Sequence, residues 1–132
     1  MTQIGKTAEA RLRLLPPHPA EGPVLSPEEG FPAVVAMHRA ASKLLEPLLV
    51  PGQDSVTVET RITHYALAAH GEVRAVATYL GAQDRRHFFR VHVFDDSGLI
   101  AEADHTRAVV LPKRLQAVAR HRAGLPAMLL DI

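Results

Sequence analysis

The chain has 132 residues, 47% of them apolar, with 15 basic and 14 acidic side chains for a formal net charge of +1. That is one domain's worth of chain, long enough to bury roughly two-thirds of the surface its unfolded form exposes, so the core needs no staples. The absence of cysteine excludes disulfides, thiolate metal ligands and a cysteine nucleophile, and fits a cytoplasmic protein; the balanced charge makes no case for nucleic acid or membrane, and neither a membrane span nor the apolar block of a signal peptide is found.

Lys6 to Leu15 alternates loosely and reads as a first strand, stopped by Pro16 and Pro17. Six prolines and two glycines between Pro16 and Pro32 make that stretch a surface loop, long enough in a compact domain to be functional or mobile. A helix follows, with Val34, Met37, Ala41, Leu44, Leu45 and Leu48 on its apolar side and Arg39, Lys43 and Glu46 opposite. Pro32 suits its first turn, and Pro51-Gly52 closes the segment.

Ser55 to Leu67 alternates as a strand, with Val56, Val58, Ile62 and Ala66 on one face. A turn at Ala69 to Glu72 leads to a strand from Val73 to Leu80, and a turn at Gly81 to Arg85 to a strand from Arg86 to Phe94. Asp95-Asp96-Ser97-Gly98 is a hairpin turn, and Leu99 to Leu111 is the last strand. Pro112 ends it, Lys113 to Arg122 reads as a short helix, and Ala123 to Ile132 as a tail. One long helix followed by four strands joined by short turns predicts a single α+β domain over residues 1–132, an antiparallel meander with the helix across one face.

Eight histidines are present. His38 falls on or beside the helix's apolar face, and His64 on the strand face of Val56, Val58 and Ile62. Each alone reads as a core histidine with a partner. Helix and sheet face each other, so the two rings together predict one cavity, where an imidazole can take a proton from water or steady an oxyanion. No third ligand at a recognised spacing accompanies them, so no metal is assigned. Arg107 shares a face with Ala101, Ala103 and Val109, and wants an anion there, either a carboxylate or a ligand phosphate. Lys113, Arg114, Arg120 and Arg122 form an acid-free basic stretch, either a solvated helix face or a patch for a phosphorylated ligand. No phosphate loop, nucleophile elbow or zinc-protease motif is found, so water is the expected attacker in a hydrolysis, with a carboxylate nucleophile as the alternative.

Phe31-Pro32, "LEPLLVPGQDS", "ITHYALAAHG" and "DHTRAVVLPK" occur in this order between Phe31 and Lys113. Together they resemble the fluoroacetyl-CoA thioesterase family of hot-dog proteins. The resemblance implies a helix wrapped by an antiparallel sheet, a homodimer that can pair into a tetramer, and a thioester of coenzyme A or a carrier as substrate, with no other cofactor. It implies that His64 is the catalytic histidine, Gly71 the glycine of the turn after it, and Arg107 an arginine near ligand and dimer contact. It also implies that Pro23 to Phe31 is a lid with Phe31 as its apolar stopper. At the positions where the family carries a catalytic glutamate and threonine, this chain has His38 and Gly30. Two functions follow. One is hydrolysis of a small or medium acyl thioester, with His64 as base or polarising group, His38 assisting, and Ala33 and Ala36 leaving room for the acyl group. The other is a protein that binds an acyl or hydrophobic ligand without turning it over.

Overall fold

A computed structural model describes residues 3–14, 31–67 and 71–124. The elements are β1 (Thr7–Leu14), α1 (Phe31–Leu45), a 3-10 turn (Glu46–Leu48), β2 (Asp54–His64), β3 (Gly71–Gln83), β4 (Arg86–Asp95), β5 (Gly98–Val110) and α2 (Pro112–Ala123). The five strands form one antiparallel sheet in the order β1-β3-β4-β5-β2. The expected α+β architecture is present, with α1 laid across β1, β3 and β4.

Small residues set how closely helix and sheet approach. Ala33, Ala36, Ala40 and Ala41 are buried on α1, with Met37 and Leu45 beside them. They meet Ala75, Ala77, Val91, Val93, Ala101 and Ala103 from the sheet. Alanine on both layers lets the backbones close up, and the larger side chains fill what remains. This corrects two sequence expectations. Val34 is only half-buried, because Ala33 and Ala40 rather than Val34 carry the core stripe. Ala33 and Ala36 open no acyl cavity among the described residues, because the sheet already occupies the space in front of them.

A bulge between Thr57 and Glu59 reverses the pleat of β2. Strict alternation assigned Val56, Val58 and Ile62 to one buried face. Instead Val58 is exposed, while Ser55, Thr57, Thr60 and Ile62 look toward the helix. One extra residue changes the parity of everything before it, which a period of two cannot register.

β3 runs beyond its expected end. A second bulge between Tyr79 and Gly81 keeps Gly81, Ala82 and Gln83 paired with Phe88, His87 and Arg86. The connection to β4 is then two residues, Asp84 and Arg85, both at positive φ (52° and 68°), as a tight hairpin requires.

α2 buries none of its residues. Leu111, Leu115 and Val118 with Val109, Gln53, Arg85 and Arg114 border a hollow of about 370 Å³ against the end of β5. No helix among the described residues is long and apolar enough to cross a membrane. The lid segment 23–30, including Gly30, and the tail from 125 onward lie outside the described residues.

Gly71 opens β3 at φ 87°, where a Cβ would stand 2.6 Å from Asp96 Oδ2. Asp96 can swing away, but the positive φ remains unfavourable for any L side chain. Gly71→Ala is therefore expected to lower stability by about 1–3 kcal/mol in chemical denaturation, and removing the Asp96 side chain in the same chain should restore only part of it.

Candidate active site

The chemistry gathers where a side chain from the middle of α1, His38, reaches β2 and β5. On β5, alternation from Ala101 and Ala103 continues through His105 and Arg107, so both point at the helix and both are buried. The bulge in β2 turns Ser55 and Thr57 to the same side, and Thr60 lies directly across from His105. α1 adds His38, whose ring stands edge-on to that of His105 with centroids 4.9 Å apart.

Arg107 organises the group. Its Nε donates to Ser55 Oγ (3.0 Å) and its Nη2 to the Ser55 carbonyl (2.9 Å). Its Nη1 donates to Thr57 Oγ1 (3.1 Å) and to His105 Nε2 (3.3 Å). A guanidinium only donates, so His105 Nε2 must accept. The proton of His105 is therefore on Nδ1, which donates to Thr60 Oγ1 at 2.7 Å. The oxygen of Thr57 accepts from Arg107, which turns its hydrogen away from the cation and leaves it available to His38 Nδ1, 3.1 Å away. In that polarity His38 accepts at Nδ1 and carries its hydrogen on Nε2.

Burial and charge keep these rings neutral. His105 is pushed down to about 4, first by burial and then by the neighbouring His38 and Arg107. His38 is lowered for the same reasons, burial first and Arg107 second. Burial also works against the charge of Arg107, while Asp54 nearby supports it. No carboxylate lies within ion-pair distance of Arg107 among the described residues. A third histidine, His87, sits across from Arg107 on β4 and bonds Tyr79 Oη through Nδ1 at 2.8 Å. Its pKa too is lowered by burial.

An open cleft of about 340 Å³ leads to this group, bordered by His38, Arg39, Ser42, Lys43, Glu46 and Arg107. Its cations outnumber its one acid. Among the described residues, no cluster of three or more His, Asp or Glu has the arrangement of a metal site.

The sequence expectation that His38 and His64 share a crevice does not hold within one chain. His64 is the last residue of β2, exposed, and paired with Ala101. Thr57, the partner of His38, lies seven residues back along β2, roughly 20 Å at ordinary strand rise. Gly71 is also at the far end of the sheet, opposite Leu14 and beside Asp96. Its visible role is a tight backbone start to β3, with no contact to the cleft. Phe31 is the first residue of α1 and is 59% exposed. Of the residues singled out from sequence, the structure joins His38 and Arg107. It adds Ser55, Thr57, Thr60 and His105. His105 was legible, since it shares parity with Ala101 and Arg107; the hydroxyls were hidden by the bulge.

A helix-backed antiparallel sheet in this strand order, with imidazoles and a guanidinium in the cleft between layers, defines a hot-dog protein of the thioesterase type. The chain belongs to the fluoroacetyl-CoA-specific thioesterase family, whose model matches residues 31–113. A crystal structure of a single-substitution variant of the fluoroacetyl-CoA-specific thioesterase FlK is 27% identical, with TM-score 0.77 over 92% of this chain and 98% of that one. Another FlK variant, solved with acetyl-CoA, is 25% identical with TM-score 0.76 over 92% and 98%. A thioesterase superfamily member from Thermus thermophilus shares the fold at 21% identity and TM-score 0.75, over 92% and 93%. No significant match is found among curated proteins. Family membership and the FlK structures support acyl-CoA thioesterase activity.

The low pKa of His105 has a stability consequence with a definite sign. The unfolded chain binds this proton below about 6.5, but the folded chain only near 4. Stability from this residue is complete above pH 6.5 and is lost as pH falls from there toward 4. The loss amounts to roughly 3 kcal/mol at most by the usual conversion. Thermal melts of the parent and of His105→Gln across pH 7 to 4 should show a shallower pH slope in the variant; parallel slopes would contradict the buried neutral ring.

Proposed function

We propose that the chain is an acyl-CoA thioesterase acting on small or medium acyl groups, as a homodimer whose active site is completed across the subunit boundary. The observation that carries this is the open cleft at His38, whose ring bonds Thr57 of β2, an edge strand of 11 residues with one side unpaired among the described residues. A long uncovered edge invites a second strand. Two copies of β2 pairing antiparallel about a two-fold axis through Arg61, with Val58 and Glu59 of the bulge together set against Thr63, lay His64 of the partner subunit opposite Thr57. Directly opposed residues of an antiparallel pair share a face. The partner subunit's His64 then enters the cleft beside His38.

Each imidazole has a task in that arrangement. Neutral His38, held by Thr57, offers Nε2–H to the thioester carbonyl oxygen. The partner subunit's His64, exposed in the single chain, takes a proton from water as the water oxygen bonds to the carbonyl carbon. The oxyanion that forms meets the His38 donor. Collapse breaks the carbon–sulfur bond, and the departing thiolate receives the proton held by His64. The products are a carboxylic acid and free thiol. Lys113 and Arg114 at the exposed start of α2 suit the phosphates of coenzyme A.

The test is subunit complementation. His38→Phe and His64→Ala should each lose hydrolysis of short acyl-CoA thioesters by about 100-fold or more. Refolding the two variants together should regain about a quarter of parental activity, because half the dimers are mixed and each mixed dimer holds one intact composite site. No recovery would overturn the composite site. Ligand binding without turnover in the parent chain would favour the non-catalytic reading.

A further inference from the structure

Arg107 is 7% exposed and makes four hydrogen bonds, all to uncharged acceptors: Ser55 Oγ, the Ser55 carbonyl, Thr57 Oγ1 and His105 Nε2. A guanidinium has five N–H groups, so one on Nη2 is left over. A buried cation ordinarily faces a carboxylate, because neutral dipoles offset only part of the cost of leaving water. None of the described carboxylates is in ion-pair contact with it, and Asp54 acts only at longer range. His105 and His38, its nearest titratable neighbours, are neutral, and His87 opposite is held by Tyr79. The cleft that exposes its last face has Arg39 and Lys43 on the rim against the single acid Glu46, and Lys43 is held toward the backbone carbonyl of Glu9 (2.7 Å).

We propose that this cleft takes an anionic group of the substrate, a carboxylate at the far end of a short acyl chain, so that the enzyme prefers thioesters of dicarboxylic acids. The inference rests on the thioesterase reading above and names its substrate class. Depth selects the source of the anion. Arg107 is linked to His38 through Thr57 by two hydrogen bonds of 3.1 Å each. If His38 meets the thioester carbonyl, only a group a short methylene spacer away can reach Arg107. The phosphates of coenzyme A are separated from the thioester by the whole pantetheine arm and stay outside.

The decisive comparison uses phosphate-free substrates: the succinyl and 4-methylpentanoyl thioesters of N-acetylcysteamine, which match in shape and differ in charge. The proposal expects kcat/KM on the order of tenfold higher for succinyl, with the preference lost in Arg107→Met. Equal rates, or a faster neutral substrate, overturn the substrate class and leave the thioesterase reading intact. Should neither thioester be hydrolysed, the thioesterase reading fails, and free ligands on the unmodified protein still decide the site. Succinate should shift the His38 and His105 imidazole resonances where inorganic phosphate and adenosine 3′,5′-bisphosphate do not. Shifts from the nucleotide alone assign the cleft to coenzyme A, and no shift from any of them leaves it without an anion; either result overturns the proposal. The same titration covers the case where Arg107→Met does not fold.

Discussion

The arrangement depends on a buried guanidinium that must spend its hydrogen bonds on neutral acceptors. Moving a cation out of water costs several kcal/mol, recovered only when its donors are met with good geometry. Arg107 finds those acceptors on two strands: a hydroxyl and a carbonyl from Ser55 and a hydroxyl from Thr57 on β2, and a ring nitrogen from its own strand at His105. Because arginine cannot accept, each partner is forced into one polarity. The tautomer of His105 follows from that one fact, and the hydrogen of Thr57, turned from the cation, is available to His38. The site is therefore preorganised from the inside outward, with the cation as its fixed point and His38 as the group that reaches the open cleft.

The fold distributes its chemistry by strand polarity. His38, Ser55, Thr57 and Arg107 collect at one end of the sheet, while His64, Gly71 and the Asp96 turn lie at the other. A single chain thus separates two histidines that the facing of helix and sheet predicts in one cavity. An uncovered β2 edge offers a physical route to reunite them, because a two-fold axis exchanges the two ends of a strand. α1 brings a neutral imidazole, His38, rather than a carboxylate to this end of the sheet, and among the described residues no carboxylate pairs with Arg107.

Much of this was legible in the sequence. The spacing of Met37, Ala41 and Leu45 announced α1, and Asp95 to Gly98 announced the β4–β5 hairpin. The parity of Ala101 and Ala103 pointed Arg107 inward, and carried one step further it also buries His105. What escaped was set by two bulges. Thr57 and Ser55 sit on the wrong face in any strict alternation, because the extra residue before Glu59 has no compositional mark. The alanines of α1 read as room for a ligand because their small size leaves space; tight contact with an equally small sheet face removes it. The distance from His38 to His64 escaped for a different reason: sequence shows that a helix and a strand face each other, but not which end of the strand the helix crosses.

The central claim is that Arg107 fixes the protonation of two imidazoles through Thr57 and by direct contact. Long-range proton–nitrogen correlation NMR of the histidine rings at pH 7 reads this without reference to activity. The expected result is a neutral His38 with its hydrogen on Nε2 and a neutral His105 with its hydrogen on Nδ1. A charged His38, or one protonated on Nδ1, would contradict it.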